Sequence, residues 1–316
     1  MPNDPLRLQP QMTPDAPLIE TSGLEKSFGA VKALSGIALS LPPGAIGLVG
    51  LNGAGKTTLL KILLGLLKPD SGSARVQGLD PSREGPKIRE GIGFVPQDDC
   101  YWGGLSAVGS VQFAGRLCGM PPKDALVRAH ETLDRIGMGE ERYRLSDGYS
   151  LGMRQKVRMA QAVVHDPKIL ILDEPTRGLD PGAKTSLLKW LHGLKAEGMS
   201  LLISTHELED IEQVCDQILV LDSGKVVLSA PIERLRSQSI EWEMQCISSP
   251  EDILPAFGGL GLKARPEGGK IRFDSDLKTS ESILNHMKLK GLKIRSLRKS
   301  KVSLEDVLRS LKPESV

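Results

Sequence analysis

The stretch GLVGLNGAGKTTLLKILLGLL, Gly47 to Leu67, decides the fold of this sequence of 316 residues. Its short apolar run is followed by a turn that contains Gly50, Gly53 and Gly55. Apolar residues then recur at helical spacing, at Leu59, Ile62, Leu63 and Leu66. The order of these features predicts a buried strand, a glycine-rich loop and a helix.

The turn matches the pattern GxxxxGK[ST], which is typical of a phosphate-binding loop. Glycines are needed there because backbone N–H groups must approach phosphate oxygens without obstruction by side chains. Lys56 is predicted to place its positive charge on the phosphates, and Thr57 to offer a hydroxyl to Mg²⁺. The other residues predicted to contact the nucleotide here are Gly50, Asn52, Gly53, Ala54, Gly55 and Thr58. A chance match is the alternative, and the position between a strand and a helix argues against it.

A second chemical motif is the apolar run of ILILDEP, which ends in Asp173 and Glu174. Ligands of open α/β sheets bind at the carboxyl ends of the strands. We therefore expect Asp173 to hold Mg²⁺ and Glu174 to polarise an attacking water. Acidic residues often end strands, so this motif indicates nucleotide hydrolysis only in combination with the phosphate-binding loop.

The composition argues against several other classes of protein. The 41 basic and 39 acidic residues leave a net charge of +2, which gives no general reason to expect nucleic acid as a partner. The four cysteines are far apart, which fits reduced cytoplasmic thiols better than a zinc site or a disulfide framework. The start of the chain does not resemble a signal peptide. No apolar run approaches the roughly 20 residues that span a bilayer.

The pattern of elements predicts an α/β protein with three parts. Residues 1–17, which contain five prolines, are expected to be disordered. Residues 18–237 are expected to combine antiparallel N-terminal strands, a mixed sheet with buried parallel strands and a helical subdomain at about 98–165. Residues 238–316 show the order βαββαβ, which predicts a small α+β, ferredoxin-like unit with a closing helix opened by Ser303.

Three local patterns predict details of these parts. Ser223 and Gly224 suit a hairpin turn, and Gly268 and Gly269 suit another. The alternation of Trp242, Met244 and Cys246 predicts that they share one face of a strand.

Six motifs occur in an order that resembles the ATP-binding subunits of ABC transporters, over about residues 18–237. The motifs are GLNGAGKTT for the Walker A loop, FVPQDD with Gln97 for the Q-loop, YSLGM with Ser150 and Gly152 for the signature, ILILDEP for Walker B, RGLD with Asp180 for the D-loop and ISTH with His206 for the switch histidine. The resemblance implies a P-loop NTPase fold with an ABC-type nucleotide-binding domain. It also implies hydrolysis of ATP with Mg²⁺.

The resemblance further implies that two such domains pair head to tail, so that a homodimer encloses ATP. Ser150 and Gly152 are then expected to reach the γ-phosphate bound by the opposite subunit, with Ser150 as the N-cap of a helix. The resemblance also implies that Asp180 is one of the nucleotide-binding residues. The remaining roles implied are Phe28 for stacking on adenine, Gln97 for contact with Mg²⁺ and water, and His206 for the γ-phosphate and Glu174.

The signature departs from the usual LSGGQ at Tyr149, Leu151 and Met153, in a form similar to that of one exporter branch of the family. The ending VSLEDVLRSL resembles the closing helix of an accessory domain in drug-resistance and sodium-export ATPases. The resemblance therefore implies an ABC-2 type permease as partner and a position on the inner face of the cell membrane. A non-transport ABC ATPase acting on ribosomes or DNA is the main alternative, and an importer ATPase is another.

Overall fold

The computed structural model describes residues 17–98, 102–238, 241–247, 253–255, 257, 262, 264–267, 270–274 and 277–299. The chain forms two compact units, Met1–Ala230 and Pro231–Val316. Residues 1–16 of the predicted arm, the turn at Gly268 and Gly269, and the closing helix opened by Ser303 lie outside the described residues. The predicted domain limits, 18–237 and 238–316, stay predictions.

The first unit alternates strands and helices, as the sequence predicts. Its strands are β1 (Ile19–Phe28), β2 (Val31–Leu41), β3 (Ala45–Val49), β4 (Ser71–Val76), β5 (Ile92–Val95), β6 (Ile169–Asp173), β7 (Ser200–Thr205), β8 (Gln217–Asp222) and β9 (Lys225–Pro231). Its helices are α1 (Lys56–Leu63), α2 (Pro81–Glu90), α3 (Ala107–Leu117), α4 (Pro122–Arg135), α5 (Leu151–Val163), α6 (Pro181–Ala196) and α7 (Leu208–Val214).

A six-stranded sheet in the order β5-β6-β7-β3-β8-β9 forms the centre of this unit. The four pairings from β5 to β8 are parallel, and every residue of β3, β6 and β7 is buried. Continuous apolar strands are the pattern expected of a parallel sheet that is covered on both faces. In the register of these strands, Val49 lies opposite Thr205, and Asp173 opposite Ser204. The loops that follow β3, β6 and β7 therefore begin side by side at one edge of the sheet.

The N-terminal strands form a separate antiparallel sheet, in the order β2-β1-β4. The sequence pattern does not predict β4, because only Ala74 and Val76 of its six residues are buried. It does not predict α2 either, because that helix contains Gly85 and Pro86 and has a non-helical residue at Glu84. These elements depend on contacts with the rest of the unit rather than on local periodicity.

Two local expectations have different outcomes. The predicted hairpin turn is confirmed between β8 and β9, where Ser223 and Gly224 both have positive φ, +48° and +74°. The apolar spacing predicts a helix that continues to Leu66, and this prediction is wrong at the C-terminal end of the helix. Helix α1 stops at Leu63, the chain turns at Gly65 with φ of +66°, and Leu66 is 55% exposed.

The helical subdomain lies between β5 and β6 in the chain and consists of α3, α4 and α5. Helix α5 packs closely on β5, since a Cβ atom added to Gly93 would lie 2.1 Å from the carbonyl oxygen of Ala162. None of the helices in the described ranges has both the length and the apolar character that crossing a bilayer requires.

The second unit contains α8 (Ile232–Gln238), β10 (Glu241–Cys246), β11 (Ala264–Glu267), β12 (Lys270–Asp274), α9 (Leu277–Leu289) and β13 (Ile294–Lys299). Its antiparallel sheet has the order β11-β12-β10-β13, which is the split arrangement of a ferredoxin-like sheet. Met244 is fully buried in the core of this unit, and Trp242 and Cys246 pack against that core. These three residues therefore share one face of β10, as their alternation predicts.

Replacement of Gly93 by alanine tests the contact between α5 and β5. The added methyl group meets backbone that cannot rotate away, and such overpacking costs about 1–3 kcal/mol. Gly193→Ala is the matched control, because a Cβ at this site inside α6 meets nothing within 4 Å. Alanine should stabilise that helix by roughly 0.5–1 kcal/mol. Thermal unfolding should show a lower midpoint for Gly93→Ala only, and equal midpoints for the two variants would contradict this packing.

Candidate functional site

The loop between β3 and α1 has a backbone that only glycine can form. Gly53 and Gly55 have φ of +83° and +101°. A Cβ at Gly55 would lie 2.5 Å from Ala33 O, and one at Gly50 would lie 2.5 Å from Leu221 O. No side chain caps α1, so the N–H groups of its first turn are free to bind an anion, which the helix dipole also favours.

Lys56 begins α1, and its side chain folds back over this loop. It is 6% exposed, and its Nζ donates a hydrogen bond to Gly50 O at 2.7 Å. The same Nζ lies 3.4 Å from Oε1 of Glu174, at the end of β6. The phosphate-binding loop and the acidic strand end thus share one buried cation.

Thr57 and Asp173, the two predicted metal ligands nearest the loop, are in direct contact. Thr57 Oγ1 donates to Asp173 Oδ2 at 2.8 Å. Ser204 in β7 donates a short hydrogen bond to the other carboxylate oxygen, Oδ1. A hydroxyl and a carboxylate oxygen at the carboxyl edge of the sheet are ligands of the kind that Mg²⁺ prefers.

Glu174 has an unusual backbone, with φ of +51°. A non-glycine residue in this region costs of the order of 1–3 kcal/mol and persists only where its surroundings hold it. Here the N–H of Glu174 donates to Ser204 O at 3.0 Å and lies 3.3 Å from Ser204 Oγ. Neighbouring strand β7 therefore holds the strained residue in place.

The side chain of Glu174 lies between two functional groups. Its Oε2 is 2.8 Å from Nδ1 of His206, which is half exposed. Its Oε1 is buried beside Lys56 and accepts no hydrogen bond from the described part of the chain. A carboxylate oriented in this way, with one oxygen still able to accept a proton or a hydrogen bond, is suited to act as a general base.

Ser204 is a contributor that motif reasoning missed. It supports both Asp173 and Glu174, although it lies two residues before the switch histidine and contacts no nucleotide in the predicted scheme. Its sequence signal is a polar residue within the otherwise apolar run LLIS of a strand buried throughout. Buried polar groups require partners, so such a residue indicates a neighbouring polar site.

The signature YSLGM forms the turn before α5. Ser150 is the N-cap as predicted, and its Oγ accepts a hydrogen bond from Met153 N at 3.3 Å. The hydroxyl of Tyr149 lies 2.6 Å from Glu141 O and 2.9 Å from Arg144 O, and burial raises the pKa of this phenol. Tyrosine at this position therefore fastens the signature to the preceding turn, which a leucine could not do.

Ser150, Gly152 and Asp180 form a second group, apart from the first. Asp180 is the N-cap of α6, where its Oδ1 accepts from Ala183 N at 2.9 Å. A Cβ at Gly152 would lie 3.3 Å from Ala183 Cβ, so the starts of α5 and α6 are neighbours. The described hydrogen bonds of Ser150 and Asp180 stay within the first turns of their own helices, whereas Lys56 and His206 both contact Glu174.

Gln97 is exposed on the loop that follows β5. Arg158 of α5 donates to Asp98 O at 2.8 Å and also bonds to Pro96 O, so it grips this loop on both sides of Gln97. Arg158 also donates to Gln155 Oε1 at 2.8 Å.

The side chain of Gln155 completes this connection, since its Nε2 donates to Pro175 O at 2.7 Å, directly after Glu174. Sequence reasoning missed both Gln155 and Arg158. Their signal, two polar residues one turn apart in an amphipathic helix, is weak because exposed helix positions look the same.

Phe28 ends β1 and is 52% exposed. The ammonium of Lys26 lies 5.8 Å from the centre of its ring, at the distance of a weak cation–π contact. Asp70 holds this strand end, since it accepts from Lys26 Nζ at 2.6 Å and from Ser27 N at 2.7 Å. The open ring face is available to a flat ligand.

Comparison with known proteins agrees with this geometry. A family model described as ABC transporter matches residues 34–177. The daunorubicin/doxorubicin resistance ATP-binding protein DrrA of Streptomyces peucetius is 38% identical over 220 residues, which cover 69% of this chain and 67% of that protein. The uncharacterized ABC transporter ATP-binding protein YxlF of Bacillus subtilis is 32% identical over 300 residues, which cover 92% of this chain and 98% of that one.

Among solved structures, cbiO1 from Clostridium perfringens, described as part of the ABC transporter complex cbiONQ, matches with a TM-score of 0.64. Its sequence is 28% identical, and the match covers 78% of this chain and 97% of that chain.

Replacement of Lys56 by alanine tests the phosphate-binding loop. Loss of the buried ammonium removes a charge aimed at the phosphates, and charge-assisted contacts of this kind are worth about 1.5–3 kcal/mol, or roughly 10- to 150-fold in affinity. Calorimetric titration with ATP should show this weakening. Lys61→Ala, at an exposed position of the same helix, is the control and should bind as the wild type does. Unchanged affinity in Lys56→Ala would contradict the assignment.

Proposed function

The chain belongs to the ABC transporter family of ATP-binding proteins, and we propose that Lys56, Thr57, Asp173, Glu174 and His206 form its site of ATP hydrolysis. Its relatives are ATP-binding proteins of transporters, and this chain is likewise the ATPase subunit of a transporter. The observation that supports the site most strongly is the buried carboxylate of Glu174, which lies between Lys56 Nζ at 3.4 Å and His206 Nδ1 at 2.8 Å.

In the proposed chemistry the protein positions groups and stabilises charge. The loop from Gly50 to Thr58 binds the phosphates through backbone N–H groups, and Lys56 neutralises their charge. Glu174 accepts a proton from the attacking water, while His206 holds Glu174 through Oε2 and binds the γ-phosphate. The exposed ring of Phe28 stacks on the adenine.

The residues near Asp173 also fit a magnesium ion. Thr57 and Asp173 would hold it, and Gln97 would contact it from the loop after β5. When bound, Mg²⁺ supplies positive charge against the phosphate oxygens. The hydrogen bond of 2.8 Å from Thr57 Oγ1 to Asp173 Oδ2 supports this proposal, because it places two oxygen ligands beside the phosphate-binding loop.

We further propose that two copies of the chain complete each site. Ser150, Gly152 and Asp180 lie at the N-termini of α5 and α6, where N–H groups and helix dipoles favour an anion. The described hydrogen bonds of Ser150 and Asp180 within one chain do not reach Glu174, which supports their use by a second subunit. Each chain has its own Glu174 and His206, and a homodimer would therefore contain two competent sites.

The direction of transport that these features favour is export, through an ABC-2 type permease. The 38% identical relative from Streptomyces is a drug-resistance ATP-binding protein. The YSLGM form of the signature and the second unit, with its ferredoxin-like strand order, point the same way. The subunit would work at the inner face of the cell membrane, held there by its permease.

The helical subdomain offers a surface for that permease. Trp102 and Phe113 pack edge to face with ring centres 4.9 Å apart, and each is 40% exposed. Leu117, one turn further along α3, is 66% exposed. Apolar side chains grouped on a surface are typical of protein interaction sites. This patch also adjoins the loop after β5 in sequence, so docking could reach Gln97.

Glu174→Gln tests the proposed base. The amide cannot accept the proton, and loss of a general base typically lowers turnover by about 10²- to 10⁴-fold. ATP binding should persist, because the loop and Lys56 remain. Phosphate release and calorimetric titration measure the two effects. Glu209→Gln removes the same charge from an exposed position in α7 and should retain turnover. Wild-type turnover in Glu174→Gln would remove Glu174 from this role.

Phe113→Asp tests the docking patch and the transport function together. A charge in the apolar patch should abolish co-purification of the membrane protein that accompanies the wild-type chain, because desolvating a carboxylate opposes docking. Val127→Asp, at an exposed apolar position of α4, is the control and should keep the partner. Thermal unfolding checks that both variants fold. Co-purification of the wild type with ribosomes and not with membranes would favour the non-transport alternative.

A further inference from the structure

A second charged cluster lies beside the site and is used by none of the motifs. It consists of Lys184, Glu207, Asp210 and Thr176. Lys184 Nζ lies 2.7 Å from Asp210 Oδ1 and makes a short ion pair with Glu207 Oε2. Thr176 Oγ1 donates to the other oxygen of Asp210, Oδ2, at 2.6 Å. One ammonium and one hydroxyl therefore hold two carboxylates of the same segment.

The members of this cluster are close in sequence to three residues of the proposed site. Glu207 directly follows His206 and precedes α7, and Thr176 comes two residues after Glu174. Lys184 lies in the first turn of α6, where its backbone N–H donates to Asp180 O at 2.9 Å. The cluster thus links the residue after the switch histidine, the segment after the base and the D-loop.

Burial and charge indicate that the contacts within this cluster are stable. Asp210 is 2% exposed and Thr176 is 4% exposed. Burial alone would lower the pKa of Lys184, but the adjacent carboxylates of Asp210 and Glu207 raise that pKa above its ordinary value. The ammonium therefore stays charged at neutral and moderately alkaline pH. Loss of this cation would leave a buried carboxylate without its ion pair, which is strongly unfavourable.

The position of the cluster indicates a role beyond the attachment of α6 to α7. The same two helices are joined at their far ends by Lys195, whose Nζ bonds to Val214 O at 3.1 Å and to Asp216 Oδ1 at 2.5 Å. Apolar residues are buried on both helices, among them Leu188, Leu191 and Ile211. Lys184 makes its contacts at the opposite end, which is the end that adjoins His206 and Asp180 in sequence.

We propose that Lys184 is a positioning residue, which holds the segment of His206 against Glu174 and couples both to Asp180. This inference rests on the proposed roles of Glu174 and His206. When Asp180 and the first turn of α6 move, Lys184 moves with them. The ion pair of Lys184 with Glu207 then also moves the imidazole of His206, the residue before Glu207. The state of the D-loop would then decide whether the histidine is correctly placed for turnover.

A double-mutant cycle between Lys184 and His206 tests this proposal in the full chain. Lys184→Met should lower kcat by about 10- to 100-fold, the range typical of a misplaced catalytic group, and should change KM for ATP by less than about threefold. In a His206→Ala background the same substitution should lower the single-turnover rate by less than about threefold further, since residues that act through one another are not additive. Lys184→Arg should restore most of the activity.

Lys195→Met is the matched control, because it removes the same charge from the same helix and breaks the far contact with α7. It should leave kcat within about twofold of the wild type while lowering the thermal midpoint, as a purely structural contact does. The NMR signal of the His206 ring, assigned with His206→Ala, should shift in Lys184→Met and not in Lys195→Met. A full effect of Lys184→Met in the His206→Ala background, or equal losses in both lysine variants, would overturn the proposal.

Glu207→Gln is a second variant for the case in which Lys184→Met does not fold. The side chain of Glu207 is 40% exposed, so its neutralisation leaves no fully buried charge behind. It should lower kcat and shift the His206 signal in the same direction, and wild-type values of both would overturn the proposal. The proposed base and the proposed coupling can be rejected independently of each other. Normal turnover in Glu174→Gln removes the proposed base, whereas additivity between Lys184 and His206 removes only the coupling.

Discussion

The parallel pairing of β7 with both β3 and β6 is the constraint on which the site depends. In this register Val49 lies opposite Thr205 and Asp173 opposite Ser204, so three strands end together. The phosphate-binding loop follows β3, the two carboxylates lie at the end of β6, and the histidine follows β7. A shift of one residue in either pairing would reverse the direction of every side chain on a strand. The strands are buried on both faces, which makes such a shift costly, and the chemistry is therefore positioned by the core.

Residues that act through a local motif could be predicted from the sequence, and those that act through distant contacts could not. The composition and order of Gly50 to Thr57 indicate a phosphate-binding loop, because its backbone geometry requires those glycines. Ser150 could be assigned as an N-cap because capping depends on the next three residues only. By contrast, Arg158 bonds to carbonyls some 60 positions away in the chain. Its role depends on where α5 lies against β5, which no local pattern reveals.

The same distinction explains the differences in the fold. Strand β4 has few buried residues, and α2 contains both glycine and proline, so local propensity alone favours neither. They form because β1 and α1 provide surfaces against which they pack. Leu66 shows the opposite case, since the apolar spacing favours a longer helix than the structure has. The left-handed conformation of Gly65 ends the helix there and takes precedence over the periodicity.

Two sets of contacts converge on the short segment after β6, and their convergence suggests how the site responds to its surroundings. From α5, Gln155 bonds to Pro175 O and, through Arg158, joins the loop that contains Gln97. From α6 and α7, Asp210 bonds to Thr176 and joins Lys184.

Glu174 precedes both attachment points and has a strained backbone with φ of +51°. A strained residue depends on its neighbours to maintain its conformation. Movements of the helical subdomain or of α6 would therefore reach the segment of Glu174 through these contacts. The placement of the proposed base therefore depends on contacts from both the helical subdomain and α6.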